Sequence, residues 1–241
     1  MAGRADAAAL PASLKEPYGT VRFFYDVDFA IDRDEAPPSQ SNGWVSLQPQ
    51  PKRPSTPGPH FGPELTFGRG MAEALTGETV GIIKAAYGGT NLAEQWDVDA
   101  SESLCLYRRM LELVKQATRA EPSLEIAGFA WCQGESDAVE SRWTNAYQEN
   151  FKRLVDRLRK DLQLPEMPVV ILEFARQAEA DASHRTQEDR IVRDLETLAA
   201  ADEHMNLVRT ADLTMGDTIH WDAEGQRKAG RRLAREILNA K

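Results

Sequence analysis

Residues 126–137 read Ile126-Ala127-Gly128-Phe129-Ala130-Trp131-Cys132-Gln133-Gly134-Glu135-Ser136-Asp137. An apolar run that breaks at a glycine predicts a buried strand, Ile126–Trp131, ending in a turn. That turn brings an amide, a carboxylate and a hydroxyl to the rim of a sheet. Far downstream, Asp217-Thr218-Ile219-His220 precedes an apparent C-terminal helix. A His three residues after an Asp can be oriented by that carboxylate while acting as a general base. Together the two segments point to a hydrolase.

Four further runs suit buried strands: Val21–Tyr25, Val80–Ala85, Val169–Phe174 and Met205–Arg209. The β-branched residues of 80–83 and 169–171 support the reading. Apolar stripes at three- and four-residue steps predict helices between them. One carries Leu104, Tyr107, Leu111 and Val114; another carries Tyr147, Phe151, Leu154, Leu158 and Leu162. A last helix starts near Ala223 with Ala229, Leu233 and Ile237 on one face, and Asp222 is placed to cap it.

Strands alternating with helices predict an α/β domain with a mostly parallel sheet and helices on both faces. Sites in such sheets gather beyond the carboxyl ends of the strands. Gly88-Gly89-Thr90-Asn91 follows one strand, Gln133-Gly134-Glu135 the next, and Asp217 and His220 the last, so three segments are expected at one rim. The stretch from Asp26 to Gly62, with seven prolines from Pro37 to Pro59, reads as a long irregular excursion over the sheet edge. It is an excursion within one domain spanning residues 1–241, not a linker. Trp44 within it either covers part of a pocket or pins the loop to the surface.

Bulk composition narrows the partners. The net charge is −9, from 38 acidic and 29 basic residues, which disfavours nucleic acid or an anionic membrane surface as a partner. No apolar stretch approaches the ~20 residues of a membrane span. Cys105 and Cys132 do not form a disulfide framework and read as two separate buried thiols. No secretory apolar region follows Met1, and the compartment is left open. His60, His184 and His204 read as surface or packing residues. Trp131 and Trp221 either stack on a bound ring or pack the rim, and Arg227, Arg231, Arg232 and Arg235 read as a solvated helix face.

Trp-x-Gln-Gly-Glu-Ser-Asp, a preceding Gly-Gly-Thr-Asn turn and a following Asp-x-x-His resemble the sialate O-acetylesterase and carbohydrate esterase family six branch of the SGNH hydrolases. Phe61–Leu65 and Lys84–Leu92 match that branch as well, and the likeness covers nearly the whole chain. The resemblance implies a three-layer α/β/α sandwich of flavodoxin-like type. It also implies removal of acetyl groups from sugars through a serine acyl-enzyme, with an acetylated carbohydrate as substrate and no metal or organic cofactor. In that scheme His220 is the general base and Asp217 its orienting acid, with Glu135 as the rival acid. The backbone N–H of Gly89 and the amide of Gln133 face the developing oxyanion, with Gly88 and Asn91 beside them.

The family's nucleophile lies in a Gly-Gln-Ser-Asn block that commonly continues Met-Ala-Gly-Arg. This chain opens Met1-Ala2-Gly3-Arg4. The expectation is therefore that the serine, and the first strand that carries it, lie upstream of this sequence. Ser39-Gln40-Ser41-Asn42 repeats Gln-Ser-Asn, but Ser41 follows Pro37-Pro38 without an apolar run and is the weaker candidate nucleophile. Cys132 with His220, and a metal held by Glu135, Asp137, Asp217 and His220, are weaker alternatives still, since no paired-His or Cys cluster specifies zinc.

Overall fold

The computed structural model describes residues 5–28, 39–53, 56, 58–100 and 105–240. The opening Met1–Arg4, Leu104 and four of the seven prolines counted above (Pro37, Pro38, Pro54 and Pro57) lie outside the described residues. The chain folds as an α/β protein that divides into two compact units.

The first unit holds residues 1–89, 112–126 and 213–238. Its short elements are β1 (Ala5–Asp6) and α1 (Ala12–Lys15), ahead of the long strand β2 (Tyr18–Asp28). Then come β3 (Ser39–Gln40), β4 (Val45–Leu47), β5 (His60–Phe61), α2 (Glu64–Ala74) and β6 (Val80–Tyr87). β2 and β6 pair in parallel from Val21↔Val80 to Asp28↔Tyr87. Both extend the sequence-derived runs, because the pleat continues as long as alternate residues find cover.

The sheet is not uniformly parallel. β3 and β4 pair antiparallel with β2, and β1 pairs antiparallel with β5. The Pro-rich excursion is thus partly ordered strand. β2 has main-chain groups to satisfy on the side away from β6, and the returning chain supplies partners there. Trp44 takes the pinning role: its Nε1 donates to the Ala117 carbonyl at 2.9 Å, and its ring meets Phe24 edge-on at 5.4 Å.

Strand alternation sends Val21 and Ile82 to one face and Phe24, Ile83 and Ala85 to the other. α2 covers the first face, so close that a Cβ at Gly68 would meet Ile82 and Val21. The helix α3 (Leu106–Ala120) covers the second through Leu113 and Ala117. The buried stripe of α3 is Leu106, Tyr107, Met110, Leu113 and Ala117, rotated from the expected Leu111 and Val114, which are only half-buried. The final helix α6 (Ala223–Asn239) buries Ala229, Leu233 and Ile237 as expected, and Asp222 accepts the Gly225 N–H at 2.7 Å as its cap.

The second unit holds residues 90–111, 127–212 and 239–241. Three parallel strands, β7 (Phe129–Trp131), β8 (Val169–Leu172) and β9 (Met205–Val208), lie in that order. β7 is shorter than the apolar run, beginning three residues later. Helix α4 (Ser141–Leu162) buries Tyr147, Phe151, Leu154 and Leu158 on the expected stripe. Helix α5 (Ala182–Ala201) fills the segment between β8 and β9. Its N-cap, Asp181, accepts the His184 N–H at 2.8 Å.

Candidate active site

The Asp217–His220 pair sits in the first unit, on a hairpin leading into α6. Its arms are joined by an antiparallel bridge between Met215 and Trp221 and by the Gly216 N–H donating to the His220 carbonyl at 2.8 Å. The base is fastened to the helix cap: Thr214 Oγ1 donates to Asp222 Oδ1 at 2.6 Å and the Asp222 N–H to the Thr214 carbonyl at 3.0 Å. Trp221 is buried and packs this base, so it is no exposed stacking platform.

At the tip, Asp217 Oδ1 accepts the N–H groups of Ile219 at 2.8 Å and His220 at 2.7 Å. Its Oδ2 lies 2.8 Å from His220 Nδ1. A carboxylate at Nδ1 assigns the proton to that nitrogen and leaves Nε2 as the basic atom. Partial burial raises the Asp217 pKa, but the bonds from Ile219, the His220 ring and the His220 N–H outweigh it and hold the carboxyl below its ordinary value. The Asp217 side chain is 56% exposed, so its contribution is orientation more than burial of charge.

Also in this unit, the Gly88 N–H donates to the Asp28 carbonyl at 2.7 Å, closing the parallel ladder. Gly89 turns the chain with φ +73°, a conformation costly for residues with a Cβ. Ser41 extends the β3 pairing: its N–H donates to the Tyr25 carbonyl, and its Oγ accepts the Tyr25 N–H, each at 3.1 Å.

In the second unit, the turn after β7 forms a dense polar cluster with 90–96. Gln133 Nε2 donates to the Thr90 carbonyl at 3.1 Å and to Asp137 Oδ2 at 2.5 Å. Asp137 Oδ2 also accepts the Leu92 N–H at 2.9 Å, and Oδ1 the Ala93 N–H at 3.2 Å. Asn91 is buried; its Oδ1 accepts the Glu94 N–H at 2.7 Å, and its own N–H donates to Gln95 Oε1 at 2.9 Å. Tyr147 donates its hydroxyl to the Gln133 carbonyl at 2.7 Å, and Trp131 Nε1 donates to that hydroxyl at 3.3 Å. Trp131 is buried against Trp96 and Phe151, a packing residue.

Burial raises the pKa of Glu135, whose Oε2 accepts the Gly134 N–H at 3.0 Å. Burial also pushes Asp137 up to about 6, against the N–H bonds it accepts. The Cys132 thiol is driven up to about 12 by burial, which makes it a poor nucleophile at neutral pH. Gly134 is dictated by close approach: a Cβ there would lie 2.5 Å from the Phe174 ring. The central place of Asp137 was not read from the sequence. Its only signal was its position, four residues after Gln133, where a short helical turn returns its side chain to the amide.

The model of the family described as carbohydrate esterase, sialic acid-specific acetylesterase matches residues 1–239. A probable carbohydrate esterase of Arabidopsis thaliana is 30% identical over 116 residues, 47% of this chain and 42% of that relative's length. The solved structure of the Arabidopsis protein superposes with a TM-score of 0.73, at 21% identity over 99% of this chain and 93% of the other. A structure described as a carbohydrate acetylesterase from Xanthomonas citri gives a TM-score of 0.65, at 18% identity over 99% of this chain and 54% of that one. At these identities the structural likenesses speak for the fold alone. The match to the family model, over nearly every residue, places this chain in the carbohydrate esterase family of sialic acid-specific acetylesterases.

Proposed function

We propose that the protein is a carbohydrate O-acetylesterase, acting through a serine acyl-enzyme on a single three-layer α/β/α domain. The observation that carries this reading is the Asp217–His220 pair, with a carboxylate 2.8 Å from Nδ1 on a braced hairpin. His220 Nε2 takes the serine proton as the hydroxyl attacks the acetyl carbonyl, then returns it to the departing sugar alkoxide. In the second half-reaction it takes a proton from the water that attacks the acyl carbonyl and returns it to the serine oxygen as the ester bond breaks and acetate leaves. Asp217 holds the imidazole and stabilises the imidazolium.

The N–H of Gly89 and the amide of Gln133 serve the oxyanion, with Gly88 and Asn91 shaping the turn. Both Gln133 N–H groups already have acceptors. The longer bond, to the neutral Thr90 carbonyl at 3.1 Å, is the one a charged oxyanion would displace. Glu135 braces its own turn. The nucleophile in this reading is the serine of the family's Gly-Gln-Ser-Asn block, not Ser41, whose Oγ is engaged with the β2 backbone.

The test uses the full gene product, assayed on 4-nitrophenyl acetate and on acetylated mono- and oligosaccharides. Acetate release that His220→Ala reduces by about 10³-fold or more supports the proposal. Binding of acetylated sugars without acetate release would make the protein a carbohydrate-binding relative. Preference for a longer acyl group or a non-sugar alcohol would keep the chemistry and change the substrate.

A further inference from the structure

Among the described residues, the second unit contains four fully or nearly fully buried carboxylates. Glu188 is met by Arg185 at 2.6 Å, Glu173 by Arg176 at 3.3 Å and Asp194 by Arg190 at 3.1 Å, each an ordinary compensated ion pair. Asp137 is different. Among the described residues, the groups bonded to its side chain are N–H dipoles: Leu92 at 2.9 and 3.1 Å, Ala93 at 3.2 Å and the Gln133 amide at 2.5 Å. Its own carbonyl accepts the Thr144 hydroxyl at 2.9 Å, which fastens it to the first turn of α4. A single residue therefore joins the turn after β6 and the turn after β7 through its carboxylate, and a helix N-terminus through its carbonyl.

We infer that Asp137 is a positioning residue, whose carboxylate sets both the Gln133 amide and the Thr90–Ala93 turn in the arrangement turnover requires. This rests on the esterase reading and deepens it. With one N–H of Gln133 tied to Asp137, the amide cannot rotate, and its remaining N–H keeps one direction. The same carboxylate gathers two successive main-chain N–H groups, which fixes the path of the turn next to Gly89 in sequence. The substrate need not touch Asp137 for the residue to govern rate.

Two variants of the full gene product separate this role from bulk stability. Asp137→Asn keeps an oxygen for Leu92 and Ala93 but turns an NH₂ group toward that of Gln133. It should lower kcat by about 10²-fold, the usual cost of misplacing one oxyanion donor. KM should stay within about threefold, and amide exchange at Ile171 in β8 should remain slow. Asp137→Ala should in addition speed exchange at Leu92 and Ala93 by about tenfold or more, with Ile171 still protected. An Asp137→Asn enzyme with the parent kcat overturns the inference. So does a loss of activity that tracks faster exchange at Ile171, which would mean unfolding alone. If the parent protein releases no acetate from any ester, the esterase reading falls. The exchange result then decides by itself, and unchanged Leu92 and Ala93 in a folded Asp137→Ala protein refute the positioning role.

Discussion

At the scale of single residues, Asp217 and Glu135 are the two acids proposed for orienting His220, and their surroundings push them in opposite directions. Asp217 is held anionic by three hydrogen bonds, whereas burial moves Glu135 toward its neutral form. An anion is what stabilises an imidazolium. Asp217→Asn should therefore reduce kcat by about 10⁴-fold, the effect of the same change in a serine-protease triad, by favouring the wrong tautomer. Glu135→Gln should cost far less. Rates on an acetylated sugar, with both variants checked by circular dichroism, distinguish the two, and the reverse ranking would make Glu135 the orienting acid. Asp137 adds an acid limb. With its pKa at about 6, its acceptor role fails as pH falls through that value, so kcat should decline below it. Burial first, and the charge of Glu94 after it, hold the Asp137 pKa up, while Asp137 in turn raises Glu135 and the Tyr147 phenol. Glu94→Gln should accordingly move the limb to lower pH.

At the scale of elements, the contact between α6 and α2 depends on a missing side chain. A Cβ on Gly230 would fall 2.1 Å from the Pro63 carbonyl and 2.2 Å from Thr66 Oγ1, with the Phe67 nitrogen also in the way. Backbone cannot yield as a side chain can. Gly230→Ala should destabilise the fold by about 1–3 kcal/mol despite the better helix propensity of alanine, readable as a lower urea midpoint. A midpoint equal to or above that of the parent would show that the two helices separate easily. The same helices show where pattern reading stops. α2 carries Gly68 and Gly70, which weaken its local signal while permitting close packing on the sheet and on Ala234. α5 buries Glu188 and Asp194 among Ile191, Leu195 and Leu198, so its apolar stripe is broken by charge. α4, with an unbroken stripe, was readable directly.

At the scale of the whole molecule, stability against pH is a sum of opposed titrations. Asp137 has a folded pKa raised to about 6, so the folded state gains relative stability as pH falls through that value. Going from pH 7.5 to 5, this gain is on the order of 1 kcal/mol. His60, completely buried, is lowered to about 4 by desolvation and by the charges of Lys84 and Arg53. The unfolded chain takes up that proton first, so stability is lost between about 6.5 and 4, amounting to about 2 kcal/mol at pH 5. The two nearly cancel, and unfolding free energies at pH 7.5 and 5 should agree within about 1 kcal/mol. Asp137→Asn should expose the full loss of about 2 kcal/mol, and a variant as flat with pH as its parent would refute the assignment. Below the ordinary carboxylate range, Asp202, Asp217 and Asp222, all held low in the folded state, withdraw their support together.

The sequence by itself determined the main strands β2, β6, β7, β8 and β9 and the stripes of α4 and α6, because burial imposes periods of two and 3.6 on apolar residues. It also determined the Asp217–His220 contact, since three residues of turn bring a carboxylate to its own neighbour's ring. Tertiary structure decided what no local period encodes. Antiparallel β3 and β4 run along β2 because its outer main-chain groups needed partners. Trp44 became an anchor because the Ala117 carbonyl came within 2.9 Å. Asp137 became the centre of a polar cluster because folding brought the Leu92 and Ala93 N–H groups to it across 44 and 45 residues of chain. Hydrogen bonds between distant segments depend on where the backbone arrives, and that is set by packing the core.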